Sequence, residues 1–93
     1  MLDEQGMVRD LQFEVRIKVC MLLNNPNVEN NYKMLAGEMG YPLTEIKTFE
    51  LKENPTDIFL QHWGTRSDST IGRLIEHLNT IDRGDVIDVL YGR

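Results

Sequence analysis

The sequence predicts an all-α fold, an antiparallel bundle of six short helices. Apolar residues recur with helical spacing along most of the chain, most clearly in TIGRLIEHLNTI, where Ile71, Leu74, Ile75 and Leu78 fall at i, i+3, i+4 and i+7. Short connectors rich in Asn, Pro, Gly and Ser separate the helical segments. The chain has 93 residues, 41% of them hydrophobic, which is enough for one compact domain with a single core and no deep cleft.

The first helix is predicted from about Asp10 to Leu23, although its pattern is ambiguous. In FEVRIKV, residues 13–19, apolar and polar side chains alternate, which alone would indicate a strand. The apolar run then continues to Leu23 without a turn residue, and an isolated strand among five helices would have no pairing partner. We therefore expect a helix here.

The second and third helices are predicted from shorter repeats of the same spacing, NYKMLAGEM and PLTEIKTFE. Pro42 suits the first turn of the third helix. The apolar positions that define the two helices are Tyr32, Leu35, Ala36 and Met39, followed by Leu43, Ile46 and Phe49.

Capping residues indicate where the last three helices start. In NPTDIFLQHW, Asn54 can cap the helix, Pro55 takes the first helical position, and an aspartate two residues later lies near the positive end of the helix dipole. A serine or aspartate before Thr70 can cap the fifth helix, and Gly84 with Asp85 can start the sixth.

Composition argues against several classes of partner. Ten Lys and Arg against fifteen Asp and Glu give a net charge of −5, which repels nucleic acid and anionic membrane surfaces. The longest uninterrupted apolar run, Val19 to Leu23, is far too short to insert across a membrane. We therefore expect neither nucleic-acid binding nor membrane insertion.

The lone cysteine and the N-terminus suggest a cytoplasmic protein. Cys20 cannot close an internal disulfide, its neighbours are apolar, and the first residues lack the features of a signal peptide. We expect one domain over residues 1–93, with its core within about residues 11–91 and a loosely ordered N-terminal extension at residues 1–9.

Catalytic chemistry has little support in the sequence. Cys20 with His62 or His77 could form a thiolate site, but Cys20 lies on the apolar run of its helix and is expected to be a buried, protonated thiol. These residues are too few and too scattered for a metal site, and no Gly-rich loop follows a strand. We expect no catalytic residue, no metal and no cofactor. The tripeptide RGD at Arg83 matches an integrin ligand, but Asp85 is better placed as an early-turn acid of the last helix.

The core is predicted from the apolar positions of the helices. Trp63 continues the apolar face that Phe59 begins four residues earlier, so we expect its ring in the core and His62 directed to solvent. The residues expected to be buried are Trp63, Leu35, Ile46, Phe59, Ile71, Leu74, Leu78 and Leu90.

Charged residues of both signs remain for the surface. Two interpretations are open: a plain solvated surface, or electrostatic complementarity that joins copies or partners in a fixed register. The candidate interface residues are Arg66, Arg16, Glu45, Lys47, Arg83, Asp85, Lys18 and Asp68.

A set of short motifs in a fixed order resembles the death domain family. Within the family it is most similar to death domains of the myeloid differentiation primary response type, which serve Toll-like and interleukin-1 receptors. The segment HWGT is also similar to receptor-associated kinases, and the arrangement of PT before tryptophan to netrin receptors. The motifs are Val15-Arg16, Leu22 to Asn24, Leu35 to Met39, Glu45-Ile46, Pro55-Thr56, Trp63 followed by Arg66, Ile71 to Leu74, and Gly84 to Val86.

This resemblance implies a six-helix Greek-key bundle without catalytic activity, which binds other death domains, its own copies and those of downstream kinases or adaptors, often as helical oligomers. The implied function is an adaptor domain of Toll or interleukin-1 receptor signalling. The alternatives are a death domain of a receptor-associated kinase or a netrin-type receptor tail and, from a different class, a monomeric structural module. By position, Arg66 is the first residue expected to contact a partner, followed by Arg16, Glu45, Lys47, Arg83 and Asp85.

Overall fold

The computed structural model describes residues 3–93. Within this range the chain forms six α-helices, which confirms the predicted all-α fold. A short 3-10 helix at Val8–Asp10 precedes the first of them. In chain order the helices are α1 (Phe13–Leu23), α2 (Tyr32–Glu38), α3 (Leu43–Glu50), α4 (Pro55–Trp63), α5 (Ile71–Thr80) and α6 (Gly84–Tyr91).

The helices pack around one core. Helix α1 lies against α6 and α4, α5 packs on α6 and α2, and α3 packs on α4 and α2. The core contains all eight residues expected there, Trp63, Leu35, Ile46, Phe59, Ile71, Leu74, Leu78 and Leu90, each of them buried.

Helix α1 begins at Phe13, three residues later than predicted. Asp10 ends the 3-10 helix, and Leu11 and Gln12 are extended. The alternating pattern of residues 13–19 does not produce a strand. Because a helix turns by about 100° per residue, the alternating apolar positions spread around its surface, and Val19 is buried while Phe13 is 75% exposed.

Helix α3 differs from its prediction at both Pro42 and Leu43. Pro42 is the N-cap, outside the first turn. Ile46 and Phe49 are buried, whereas Leu43 is 67% exposed. Steps of three residues turn a helix by about 300°, so a row with this spacing drifts around the helix and only part of it faces the core.

The starts of α4 and α5 depend on side-chain caps. The Asn54 side chain accepts a hydrogen bond from the backbone N–H of Asp57, and Pro55 takes the first helical position. The cap of α5 is Thr70 itself, which accepts from the Arg73 N–H, rather than a residue before it. These bonds satisfy first-turn N–H groups that have no partner within the helix.

Residues 3–10, here called the N-terminal strap, pack on the bundle. Met1 and Leu2, which the predicted loose extension also included, lie outside the described residues. Val8 is fully buried, and its N–H donates to the Ser69 carbonyl at 2.9 Å. The carbonyls of Gly6 and Glu4 accept from the N–H groups of Ile71 and Gly72, both at 2.8 Å. The strap therefore differs from the loosely ordered extension that we expected, because it supplies acceptors for the first turn of α5.

Candidate interaction surface

The loop between α4 and α5 presents Arg66 next to Asp68. The Arg66 Nε and Nη2 donate to the two carboxylate oxygens of Asp68 at 3.1 and 3.3 Å, and Arg73 Nη2 lies 4.0 Å from the same carboxylate. The hydrogen bond from Arg66 holds the pKa of Asp68 below its usual value. Since about half of each side chain is exposed, this charged group is open to solvent and to a partner.

Beside this loop lies a shallow depression of about 230 Å³. Arg66 and Glu45, two of the residues expected at an interface, line it together with Tyr41 and His62. We call Tyr41, Glu45, His62, Arg66 and Asp68 the Arg66 corner. The structure thus joins α3, the end of α4 and the following loop in one surface.

The sequence missed the role of Tyr41 in this corner. Its hydroxyl oxygen lies 2.8 Å from Nδ1 of His62, and its ring meets Phe59 edge-on at 5.4 Å between centroids. His62 is exposed, and its hydrogen bond with Tyr41 fixes the orientation of its imidazole ring. Burial raises the pKa of Tyr41, the Glu45 carboxylate raises it further, and Arg66 opposes both.

Hydrogen bonds from Ser69 and from the N-terminal strap fix the conformation of the loop that carries Arg66. Ser69 is fully buried, and its hydroxyl donates to the carbonyls of Arg66 at 2.7 Å and Gly64 at 3.2 Å. From the N-terminal strap, Arg9 Nη1 donates to the Gly64 carbonyl at 3.1 Å, and Val8 bonds the Ser69 carbonyl. Charged side chains on a loop of fixed conformation lose less entropy when a partner binds.

Arg83 requires a correction, because the structure places it inside the bundle. Only 5% of its side chain is exposed, and its guanidinium donates to the backbone carbonyls of Asn30 at 2.8 Å and Leu22 at 3.1 Å. Its Nε and Nη2 both bond Asp85 at 2.9 Å. Arg83 connects the start of α6 to the end of α1 and the loop after it, and almost none of its side chain is exposed to a partner.

Arg16 is also turned inward. Its Nε donates to the Asp57 carboxylate at 2.6 Å, and 17% of its side chain is exposed. Gln61 donates to the other oxygen of the same carboxylate at 2.8 Å. This group joins α1 to α4 and leaves Arg16 little surface for a partner.

The other expected interface residues are exposed. Lys18 lies on α1 and Lys47 on α3, and neither makes an ion pair with any residue from 3 to 93. Asp85 is about half exposed, but Arg83 occupies both of its oxygens and lowers its pKa. Of the eight candidates, Arg66, Asp68 and Glu45 lie together at the surface, whereas Arg83 and Asp85 pair with each other and Arg83 is buried.

The cysteine and the two histidines have different neighbours. Cys20 is buried, and burial, with a smaller effect of Asp57, raises the pKa of its thiol to about 11. His62 bonds Tyr41, while His77 lies beside Glu38 and the Trp63 ring. No three His, Cys, Asp or Glu side chains in the described part of the chain are grouped to bind a metal ion. The RGD tripeptide does not present a free arginine, because Arg83 is buried.

None of the helices between residues 3 and 93 is long and apolar enough to cross a membrane. The described part of the chain is an all-α bundle with exposed charged side chains of both signs.

Comparison with known proteins gives the family. The family model described as Death domain matches residues 16–93, and the chain belongs to this family. Death domains are protein–protein interaction modules of signalling proteins and are generally not enzymes. The chain is 33% identical over 69 residues to tumor necrosis factor receptor superfamily member 16 of Gallus gallus. The match covers 74% of this chain but 17% of that relative.

Proposed function

We propose that this death domain assembles a signalling complex by binding other death domains through the Arg66 corner. The observation that carries the proposal is the exposed Arg66 on a loop that Ser69 and the N-terminal strap hold in one conformation. Family membership supplies the class of partner.

The charges of the corner indicate how a partner would fit. Arg66 has two carboxylates near it, that of Asp68, with which it pairs, and that of Glu45, which lines the same depression. A partner with an acidic side chain opposite Arg66 and basic side chains opposite Glu45 and Asp68 would complement this pattern. Such complementarity sets register and specificity more than affinity.

The signalling pathway is the finer part of the proposal. The chicken relative, a tumor necrosis factor receptor superfamily member, supports signalling of that receptor class. The ordered motifs described above favour the Toll and interleukin-1 receptor class as a second candidate. The sequence that flanks this domain in its parent protein separates the possibilities: a transmembrane segment supports a receptor, a Toll/interleukin receptor homology domain supports the adaptor, and a kinase domain supports a receptor-associated kinase.

Sedimentation velocity of purified proteins tests the proposal. The domain is mixed in turn with the death domains of its own organism, including those of both receptor pathways and of their kinases. We expect a faster-sedimenting complex with at least one of them. Arg66→Glu should weaken this complex at least about tenfold, since it reverses the charge that the partner must match.

The matched control is Lys52→Glu, which reverses an exposed charge two residues beyond the end of α3 and seven residues from Glu45. It should leave both complex formation and helix content unchanged. A domain that remains alone with every partner, or a complex that Arg66→Glu and Lys52→Glu weaken equally, would contradict the proposal. The first of these results would favour a monomeric structural module.

A further inference from the structure

Helix α1 exposes three large apolar side chains in one row. Phe13, Ile17 and Met21 are 75%, 41% and 69% exposed. Since they are four residues apart, they lie on successive turns and form a stripe about 12 Å long. We call these three residues the α1 stripe. The opposite face of the helix buries Val19 and Leu23 in the core.

A helix that is apolar on both faces usually has neighbours on both. The described part of the bundle covers only the face with Val19 and Leu23. Isolated exposed apolar residues are ordinary, but a continuous row of three on one helix marks a contact surface.

Two exposed charges flank the α1 stripe on one side. Counting about 100° per residue from Phe13, Ile17 and Met21 lie at about 40° and 80°, and Glu14 and Lys18 at about 100° and 140°. Neither charge forms an ion pair with any of residues 3–93. This side of the α1 stripe therefore carries one negative and one positive charge, neither of them in an ion pair within residues 3–93.

We propose that the α1 stripe binds the α1 stripe of a second copy of this chain, with the two helices antiparallel around a two-fold axis at Ile17. Phe13 of each copy then packs on Met21 of the other. Glu14 lies about 4.5 Å before the axis and Lys18 about 1.5 Å after it, so that reversal of the second helix places the opposing Lys18 within about 3 Å of Glu14 along the helix direction, which the long lysine side chain can span. Two equivalent ion pairs form, as a two-fold interface requires.

Self-complementarity favours this occupant over a head-to-tail contact. Leu43 and Leu51, eight residues apart at the two ends of α3, are also exposed, and the exposed Lys47 lies midway between them. If that face covered the α1 stripe, the Lys47 ammonium would be pressed against apolar side chains and lose water without gaining a partner. The two-fold arrangement buries no charge and pairs the two at its edge.

The inference rests on the proposed function, because the partner is again a death domain, here an identical copy. It uses no residue of the Arg66 corner, so the two contacts can be separated by mutation. Three side chains on each copy bury less area than the roughly 1,200 Å² of a stable interface, so the dimer should be weak and concentration-dependent.

Sedimentation equilibrium of the purified domain, up to about 1 mM, measures this dimer. We expect a monomer–dimer equilibrium that Phe13→Ser and Met21→Ser each weaken at least about tenfold. Leu51→Ser is the control, because it removes an apolar residue that is 87% exposed and outside the stripe. Circular dichroism verifies that each variant is folded.

Charge reversal tests the two-fold geometry. Glu14→Lys and Lys18→Glu should each weaken the dimer about tenfold, because each places like charges at both flanking positions. An equal mixture of the two variants should dimerise like the wild type, since each reversed charge then meets its opposite. A mixture that fails to restore the dimer would overturn the inference, because Glu14 and Lys18 would then not meet across a two-fold axis.

Two further results would also overturn it: a wild-type domain that stays monomeric at the highest concentration, or a dimer unaffected by Phe13→Ser. The inference and the proposed function fail separately. A domain that binds another death domain through Arg66 but does not dimerise overturns the inference alone. An α1 dimer that binds no other death domain supports the inference and overturns the proposed function.

Discussion

Two arginine–aspartate pairs with the same spacing, Arg66 with Asp68 and Arg83 with Asp85, have different surroundings. In both, the Arg Nε donates to Oδ1 of the aspartate two residues later, at 3.1 and 2.9 Å. The Arg66 side chain is 54% exposed and that of Arg83 is 5% exposed.

The difference lies in the remaining guanidinium N–H groups. Those of Arg83 reach the carbonyls of Leu22 and Asn30, more than fifty residues earlier in the chain. Within residues 3–93 the side-chain hydrogen bonds of Arg66 go to Asp68, and about half of its side chain is exposed. The same local motif is therefore a structural connection in one place and a candidate recognition element in the other, and long-range acceptors decide between the two.

The largest expected difference between the two pairs is the effect of replacing the buried Arg83 on the stability of the fold. Arg83→Ala leaves the carbonyls of Leu22 and Asn30 without their donor and Asp85 without its partner, so we expect a loss of about 3 kcal/mol or more in the free energy of unfolding. Urea denaturation measures it. Arg83→Lys keeps the positive charge but lacks the planar guanidinium that bonds several acceptors at once, so it should recover only part of the lost stability. Arg66→Ala should leave stability unchanged within error, and equal losses at both arginines would contradict the comparison.

The second prediction concerns the N-terminal strap, which holds the loop with Arg66 and Asp68 in place. Val8→Ala removes two buried methyl groups beneath the loop after α4, and should cost about 2 kcal/mol. Amide hydrogen exchange in residues 64–70 should also accelerate, because the strap holds the Ser69 carbonyl and the Gly64 carbonyl. Leu51→Ala is the exposed control. Unchanged exchange in the loop would show that the strap does not position Arg66.

The smallest expected effect is a difference in how salt changes the pKa values of Asp68 and Asp85. Each arginine lowers the pKa of its aspartate, so each pair stabilises the fold above the ordinary aspartate pKa and loses that stabilisation as pH falls through the lowered value. Raising NaCl from about 0.05 M to about 1 M should move the pKa of Asp68 back towards normal more than that of Asp85, since Arg83 is shielded from solvent. Carboxyl carbon NMR titrations measure both, and equal shifts would argue against the difference in screening.

Local chemistry allowed much of the fold to be predicted. Helical spacing located the six helices and the eight buried residues, and Asn54 with Pro55 marked the start of α4. One helix was correctly predicted but from an ambiguous pattern, because local signals competed there. The alternation in residues 13–19 resembled a strand because α1 carries apolar residues on two faces, only one of which the bundle buries.

The candidate site was less predictable, because its composition depends on distant contacts. Arg66 could be selected from its loop, but no local pattern distinguishes it from Arg83, whose acceptors come from α1 and the loop after it. The docking of the N-terminal strap could not be predicted for the same reason. Nothing near Val8 in the sequence indicates that its N–H donates to the Ser69 carbonyl. The bond between Tyr41 and His62 joins segments twenty-one residues apart.

The most direct test of the account observes both arginines in one experiment. Their side-chain Nε–H groups give separate NMR signals in the isotope-labelled domain, recorded with and without the death domain that binds it. We expect the Arg66 signal, together with the amides of Tyr41 and Glu45, to shift on binding, while the Arg83 signal stays unchanged because its bonds to Leu22, Asn30 and Asp85 persist. A shift of the Arg83 signal with an unchanged Arg66 signal would contradict the central claim.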